Sequence, residues 1–390
     1  MYNGKKYFLG LIISNQAYQL CKQCVMDTSD PLISFNSKGH CNLCTDFLEN
    51  RQQVIQANKM NDQPLIDLFN KVKSKSKNRK YDCIIGLSGG VDSSYLAVLA
   101  HNHGLRVLAV HLDNGWNSSI AVKNINSLVK KLDMDYASYV IPWANFKRVQ
   151  LAFLKASVPE AETPTDVAIG RATNHYALKT GTKFILSGGN IASEGILPIS
   201  WHYNCRDTKY SYEILKNHGS SKKDFSSQKF GFADEFYCKI IRNIKYIYPL
   251  NYFSFNKEDA QKILEDQYDW KFYGSKHGES RYTRFIQKYY LVKKHGIDYR
   301  RATLSSEVCL KKISRDDALV ILENPAYSEG EFTEELEYIA KKLSISTNDL
   351  IDIVNQKPKW FFNYKNNMFL LHKLYDFYRF LYGKKKTSNH

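Results

Sequence analysis

An apolar stretch that runs straight into a glycine loop leaves a chain few folds to choose from. Residues 81–86, "YDCIIG", lead into residues 87–94, "LSGGVDSS", and then into the helical pattern of "SSYLAVLAHNHG". Gly89 and Gly90 let the backbone come close to a ligand and turn its N–H groups inward. Ser88, Ser93 and Ser94 add hydroxyl donors, and the helix that follows adds the positive end of its dipole. The stretch is an anion cradle. It contains neither G-x4-G-K-[ST], whose lysine reaches a terminal phosphate, nor the dinucleotide fingerprint G-x-G-x-x-G. The Asp92 carboxylate would repel a phosphate unless a cation lay between them, which predicts Mg²⁺ held by Asp92.

The texture on either side extends the pattern. "LRVLAVHLD", "YASYVI" and "KFILSGGN" read as further strands. Helices are expected over "NSSIAVKNINSLVKKL", near 143–157 and over 166–179. Strands alternating with helices imply right-handed βαβ units and a parallel sheet, so the fold class is α/β. The expected organisation is an N-terminal metal module over 1–50, a helix and basic linker over 51–80, the α/β domain over 81–255, and a helical C-terminal region over 256–390. Asn256 and Ser314 read as helix N-caps in that last region.

Residues 21–44 carry C-x2-C, sixteen residues, then C-x2-C. Two such knuckles present Cys21, Cys24, Cys41 and Cys44 to one metal, and four thiolates close a tetrahedral structural zinc site. Chance pairs or a redox dithiol are the alternatives. The other cysteines, Cys83, Cys205, Cys238 and Cys309, are scattered, which does not suit a disulfide framework.

The formal charge is +16, from 55 Lys and Arg against 39 Asp and Glu. That field suits nucleic acid, an anionic surface or acidic small molecules, but the abundance of Lys, Asn, Ile and Tyr also fits an AT-rich coding sequence. The run "KVKSKSKNRK" at 71–80 reads as a solvated linker. No apolar run reaches 18 residues, so no membrane span is expected, and the opening residues lack a convincing h-region and cleavage site, so no signal peptide is expected either. The expected location is cytoplasmic. The tail after Trp360, dense in aromatics, reads as a helix buried on its own domain or as a docking surface.

The S-G-G-x-D-S pattern resembles the PP-loop of the ATP pyrophosphatase superfamily. The resemblance implies that residues 87–93 (Leu87, Ser88, Gly89, Gly90, Val91, Asp92 and Ser93) grip the pyrophosphate of ATP while the α-phosphate is attacked, with Asp92 and Ser93 in catalytic roles. It also implies that Val110 and His111 frame the adenine and that Asp113 lies near the nucleotide, unless Asp113 caps the turn at Asn114-Gly115. Gly188, Gly189 and Asn190 would approach the nucleotide from the fourth strand, and Glu194 would be a second catalytic and Mg²⁺-binding carboxylate.

Further segments are more specific: "CKQCVMDTSDP", "VHLDNGWNS", "LAFLKASVPEAETPTD", "LSGGNIASEGILP", "IYPLNY" and "YGSKHGESRYTRFIQKYYLVKKHGIDYRRATLSS". From about Cys21 to Pro358 they resemble the N-acetyl sugar amidotransferase family, found with lipopolysaccharide O-antigen and flagellin glycan genes. That family implies adenylation of an N-acetyl group and displacement of AMP by ammonia to give an acetamidino sugar. The implied partners are an acidic N-acetylated sugar or nucleotide sugar, with ammonia supplied by separate glutaminase and cyclase-like subunits. Trp116, Lys155, Glu160, Thr163 and Asp166, and His277, Glu279, Arg281 and Arg284 in the most family-like stretch, are the expected substrate contacts. A basic site would suit such a substrate. The rival is a tRNA-modifying PP-loop enzyme, a thiolase or lysidine-synthetase-like protein. Thiolases of that branch often carry a post-loop CxxC, which this chain lacks, so nucleic acid is not the expected partner. A non-catalytic ATP-binding subunit is disfavoured by the intact glycines and Asp92.

Overall fold

The computed structural model describes residues 17–371 and 373, apart from residues 60, 275–277, 327 and 328. Five parallel strands form one sheet in the order β3-β2-β1-β4-β5: β1 (Cys83–Gly86), β2 (Val107–Asp113), β3 (Asp135–Val140), β4 (Phe184–Leu186) and β5 (Lys245–Ile247). β1 is central, with Ile85 opposite Ala109 on one side and Leu186 on the other. β4 is buried throughout, whereas the edge strand β3 carries only exposed and half-buried residues. β5 lies in a stretch that the residue pattern leaves unassigned, because its three residues are cut short before Pro249.

Successive side chains of β1 enter opposite cores, as a strand requires. Cys83 and Ile85 pack with the helices Gln63–Ser74, Val91–Asn102, Ser119–Lys131 and Lys257–Tyr268. Ile84 packs with Trp143–Lys155, Thr163–Thr180 and Thr208–Asn217 on the other face. The basic run at 71–80 begins as the last turn of Gln63–Ser74, where Val72 is buried. Asn256 and Ser314 cap their helices as expected.

A third core joins the cysteine module to the C-terminal helices. Phe47, Trp116, Tyr282, Phe285, Ile339 and Leu350 are all buried in it. The start of the aromatic tail docks on the α/β domain: Phe361 stacks on Tyr203 with ring centroids 4.9 Å apart, and the Tyr364 hydroxyl donates to the Ala156 carbonyl at 2.8 Å. Residues 372 and 374–390, the rest of the expected tail, lie outside the described residues. Among the described residues no helix is long and apolar enough to cross a membrane.

The chain order reverses between β1 and β4. In open parallel sheets the loops leaving the carboxyl ends part at such a point and leave a crevice. Here the two loops that part are the two glycine-bearing loops of the sequence.

Candidate nucleotide site at the switch point

The loop after β1 is cinched by its own serines. Ser88 Oγ and Ser93 Oγ lie 3.1 Å apart, the Gly90 N–H donates to Ser88 Oγ at 3.2 Å, and the Ser88 N–H donates to Ser93 Oγ at 3.3 Å. Gly89 has a φ of +82°, and a β-carbon there would lie 2.6 Å from the Ala121 carbonyl oxygen. Its own carbonyl accepts from the Trp270 indole N–H at 3.0 Å. On the facing loop, a β-carbon on Gly188 would lie 2.9 Å from the backbone of Asp92 and Ser93. Both glycines exist for close approach: one lets the loop turn under a helix, and the other lets the two loops touch.

A cavity of about 550 Å³ opens at this point. Of the nucleotide residues expected from the sequence, Leu87, Ser88, Gly90, Val91, Asp92, Ser93, Val110, His111, Gly188, Gly189 and Glu194 line it. Gly89 lies behind the wall, and Asn190 instead caps the short helix Ile191–Glu194 through the Ser193 N–H at 3.0 Å. Asp113 caps the turn after β2, accepting the Gly115 N–H at 3.0 Å, and does not line the cavity. His111 donates from Nδ1 to the Leu87 carbonyl at 2.9 Å, and Asn117 donates to its Nε2 at 3.1 Å. Burial lowers its pKa, so the ring is a neutral bracket between β2 and the loop.

Of the expected substrate contacts, Asp166 and Glu279 reach the cavity. Trp116 is buried, stacked on Tyr282 at 4.9 Å with its indole N–H on Gln150, and fastens the C-terminal region to the end of β2. Arg281 and Arg284 both bind the buried Glu335, at 2.9 and 2.6 Å, so they are structural ion pairs. Lys155 is exposed at the last turn of Trp143–Lys155. That helix starts at the sheet's carboxyl edge and runs away from it, which puts its thirteenth residue about 20 Å off. Thr163 is buried as the first residue of Thr163–Thr180. Glu160 is buried and accepts from the Tyr210 hydroxyl at 3.2 Å, away from the cavity lining. His277 lies outside the described residues.

Sequence reasoning passed over Glu162, two residues beyond Glu160 in the same turn. Glu162 lines the cavity and accepts a 2.6 Å hydrogen bond from the Thr283 hydroxyl. Its enclosure by protein pushes its pKa up to about 8, reinforced by Asp166 one helical turn on. Asp166 is raised to about 6 by the same enclosure, although solvent reaches it through the cavity, and the Arg206 charge offsets part of the rise. Tyr273 is also new: it touches the loop at Gly90, and burial together with Glu279 raises its hydroxyl pKa. Both lie within family-like segments, but nothing local singles them out: Tyr273 is brought in by the C-terminal region, and Glu162, just before Thr163–Thr180, is held by Thr283 of that region. Ser280 pairs with Asn117, and the Ser118 N–H donates to the Glu279 carbonyl at 2.9 Å, which lays residues 279–287 along the cavity.

The expectation of a basic site is overturned. Asp92, Glu162, Asp166, Glu194 and Glu279 line the cavity, against Lys257 as its lining lysine. Among the described residues the other lysines lie outside this lining.

The four N-terminal cysteines converge as their spacing predicts. All are buried, and their sulfurs lie within 4.8 Å of one another. Cys21 and Cys44 sulfurs are 3.7 Å apart, and those of Cys24 and Cys41 are 3.6 Å apart. A tetrahedron of sulfurs about 2.3 Å from a metal has edges of about 3.8 Å. Backbone N–H groups of Gln23, Cys24, Met26 and Cys44 point at the sulfurs, as suits thiolates. The four residues therefore fit a metal centre. Among the described residues no other group of three or more potential ligands is as tight.

Two family models match separate parts of the chain: NAD synthase over residues 65–173, and the C-terminal domain of WbpG-like lipopolysaccharide biosynthesis proteins over 279–382. No curated protein matches. Similar solved structures include the NMN synthetase of Francisella tularensis (15% identity, 54% of this chain and 94% of that one, TM-score 0.28). The NH3-dependent NAD synthetase of Campylobacter jejuni also matches (16%, 54% and 94%, TM-score 0.29), as does the U34-tRNA thiolase NcsA of Methanococcus maripaludis (15%, 76% and 89%, TM-score 0.31). These structural similarities are too low to carry an argument. The first of the two family models covers the glycine loop, and the second covers the lining residues Glu279, Ser280, Thr283 and Gln287. Taken together, the two models support the WbpG-like PP-loop amidotransferase family as the one this chain resembles over those residues.

Proposed function

We propose that this ATP-using amidotransferase adenylates the N-acetyl group of a bacterial surface sugar and replaces AMP with ammonia to leave an acetamidino group. The observation that carries the reading is the composition of the cavity wall. Leu87, Ser88 and Gly90–Ser93 come from the NAD-synthase-like part, while Glu279, Ser280, Thr283 and Gln287 come from the WbpG-like part, and both face one space.

An N-acetyl amide is a poor electrophile, because nitrogen donates into its carbonyl. Attack of the amide oxygen on the α-phosphate expels pyrophosphate and gives an O-adenylyl imidate that keeps its N–H. Ammonia adds to the activated carbon, the adduct sheds one proton, and AMP leaves to give an amidinium. The loop's N–H groups and the dipole of Val91–Asn102 hold the departing pyrophosphate. Glu162 takes the proton shed by the ammonia adduct, with Thr283 orienting its carboxylate. Asp92, with Glu194 across the cavity, would hold Mg²⁺, which supplies charge neutralisation on the phosphates. One or two carboxylates plus phosphate and water are the usual ligands of that ion. Zinc is the metal we assign to the four cysteines, with a structural role because all four positions are thiolate.

We assign the chain to the cytoplasm, where ATP is available, with ammonia delivered by a separate glutaminase through a cyclase-like subunit. Incubation of the pure protein with ATP, ammonium and candidate N-acetyl sugars tests the reading. AMP, pyrophosphate and a sugar about one mass unit lighter are expected, as oxygen is exchanged for NH. ADP as product, or salt-sensitive tRNA binding coupled to ATP use, would replace this reading with another.

A further inference from the structure

Arginine carries five donors and is seldom left half-buried without acceptors. Arg206 is such a case. Its Nη1 is buried with no hydrogen-bond partner, and its guanidinium makes no ion pair among the described residues. The arginines nearer in sequence to the family-like stretch differ: Arg281 and Arg284 are both neutralised by Glu335.

The surroundings of Arg206 hold it in place. Its guanidinium lies over the Phe230 ring, 4.8 Å from the centroid. It also fills the space that Gly170 leaves open, where a β-carbon would stand 2.7 Å from Nη2 and 2.8 Å from Nη1. Gly170 shares a helix face with Asp166, Ile169 and Thr173, at the i, i+3, i+4 and i+7 spacing, and those three residues line the cavity. Arg206 therefore stands beside the cavity wall formed by Thr163–Thr180, next to its lining residues though not itself one of them. Its charge acts on Asp166 and on Tyr248, whose ring faces Gly189 of the second glycine loop.

We infer that Arg206 is the anion-recognising residue for the second substrate, binding a carboxylate or phosphoryl oxyanion at the wall of the nucleotide cavity beside Gly170. The chemistry of the site favours this. Five carboxylates line the cavity, so an anionic substrate needs a cation placed to outweigh them. A guanidinium pre-set on an aromatic face offers a planar fork to either oxyanion. The inference deepens the proposed sugar reading and rests on it for the identity of the substrate as an acidic N-acetyl sugar.

The test is binding of two N-acetylated probes to the full chain with its loop saturated by AMP. N-acetylneuraminate carries a carboxylate and no phosphate, and UDP-N-acetylglucosamine carries a diphosphate and no carboxylate. At least one should bind the wild type, and which one does identifies the oxyanion. Arg206→Ala should weaken it on the order of tenfold to a hundredfold, the range for removing one partner of a buried charged contact. Gly170→Ala keeps the arginine but drives its guanidinium aside, and should weaken the same probe. AMP affinity and the circular dichroism spectrum should be unchanged in both variants. Failure of both probes to bind the wild type at millimolar concentration, equal binding to wild type and Arg206→Ala, or an equal loss of AMP binding would each overturn the assignment. Formation of AMP from ATP by the wild type is followed separately, so failure of the sugar reading and failure of the anion site give different results.

Discussion

The Trp270 indole donates to the Gly89 carbonyl at 3.0 Å, so the glycine loop is fixed by a residue 181 positions further along the chain. Trp270 is fully buried, and Asn124 braces the same corner through the Lys271 backbone at 2.8 and 2.9 Å. Trp270→Phe keeps an aromatic ring and removes the donor. We expect weaker ATP binding, by roughly fivefold to tenfold for one lost buried hydrogen bond, as measured by calorimetric titration. Unchanged affinity would mean the loop holds its shape without Trp270.

Contact between the two glycine loops leaves no room for a methyl group. Gly188→Ala would place a β-carbon 2.9 Å from the backbone of Asp92 and Ser93. Overpacking of this kind costs about 1–3 kcal/mol, and here it also moves Asp92. We expect a loss of adenylation, read as pyrophosphate exchange into ATP, with the fold retained by circular dichroism. Wild-type exchange in this variant would contradict the placement.

Glu162, with its pKa raised to about 8, acts as a base only when ionised. The rate of amidine formation should therefore climb as pH rises toward 8 and level off above it. Ammonia itself titrates nearby, so the profile is best taken with hydroxylamine, which is already unprotonated in this range. Glu162→Gln should lose the rising limb and most of the rate while still exchanging pyrophosphate. A limb that persists in the glutamine variant assigns the proton to another group.

Glu160 sits in a core rather than in the cavity, and burial raises its pKa to about 8. The folded state holds this proton more tightly than the unfolded chain. Its contribution is present at low pH and is lost as pH rises from the ordinary glutamate value through about 8. Wild-type stability should fall across that window, and Glu160→Gln should remove that component of the fall in thermal melts at several pH values. Parallel melting curves for the two proteins would contradict a buried, proton-holding Glu160.

The four cysteines should hold one metal ion per chain, with zinc expected from elemental analysis of purified protein. Cys21→Ser together with Cys24→Ser should abolish it. Because Arg315 donates to the Cys21 and Cys24 carbonyls, the loss should also loosen the C-terminal helices and lower the melting temperature. Retention of a full equivalent of zinc by the double variant would move the site elsewhere.

Sequence alone determined what short-range physics decides. The strand, the two glycines, Asp92 and the serines are contiguous, so the cradle follows from local backbone freedom and hydroxyl placement. The C-x2-C pairs specify a four-sulfur centre because each knuckle is four residues long. The helix caps at Asn256 and Ser314 and the alternation of strands and helices are likewise local. Tertiary structure decided the far side of the site. Whether Glu160 or Glu162 enters the cavity depends on one turn and on where Tyr210 and Thr283 lie, 50 and 121 residues away. Arg281 and Arg284 look like ligands for an anion until Glu335 is found against them, while Arg206, in a stretch with no motif, is left with unspent donors. The sign of the cavity follows the same rule: net charge sums the whole surface, whereas the cavity holds only those side chains that helix direction and packing bring to the carboxyl edge of the sheet.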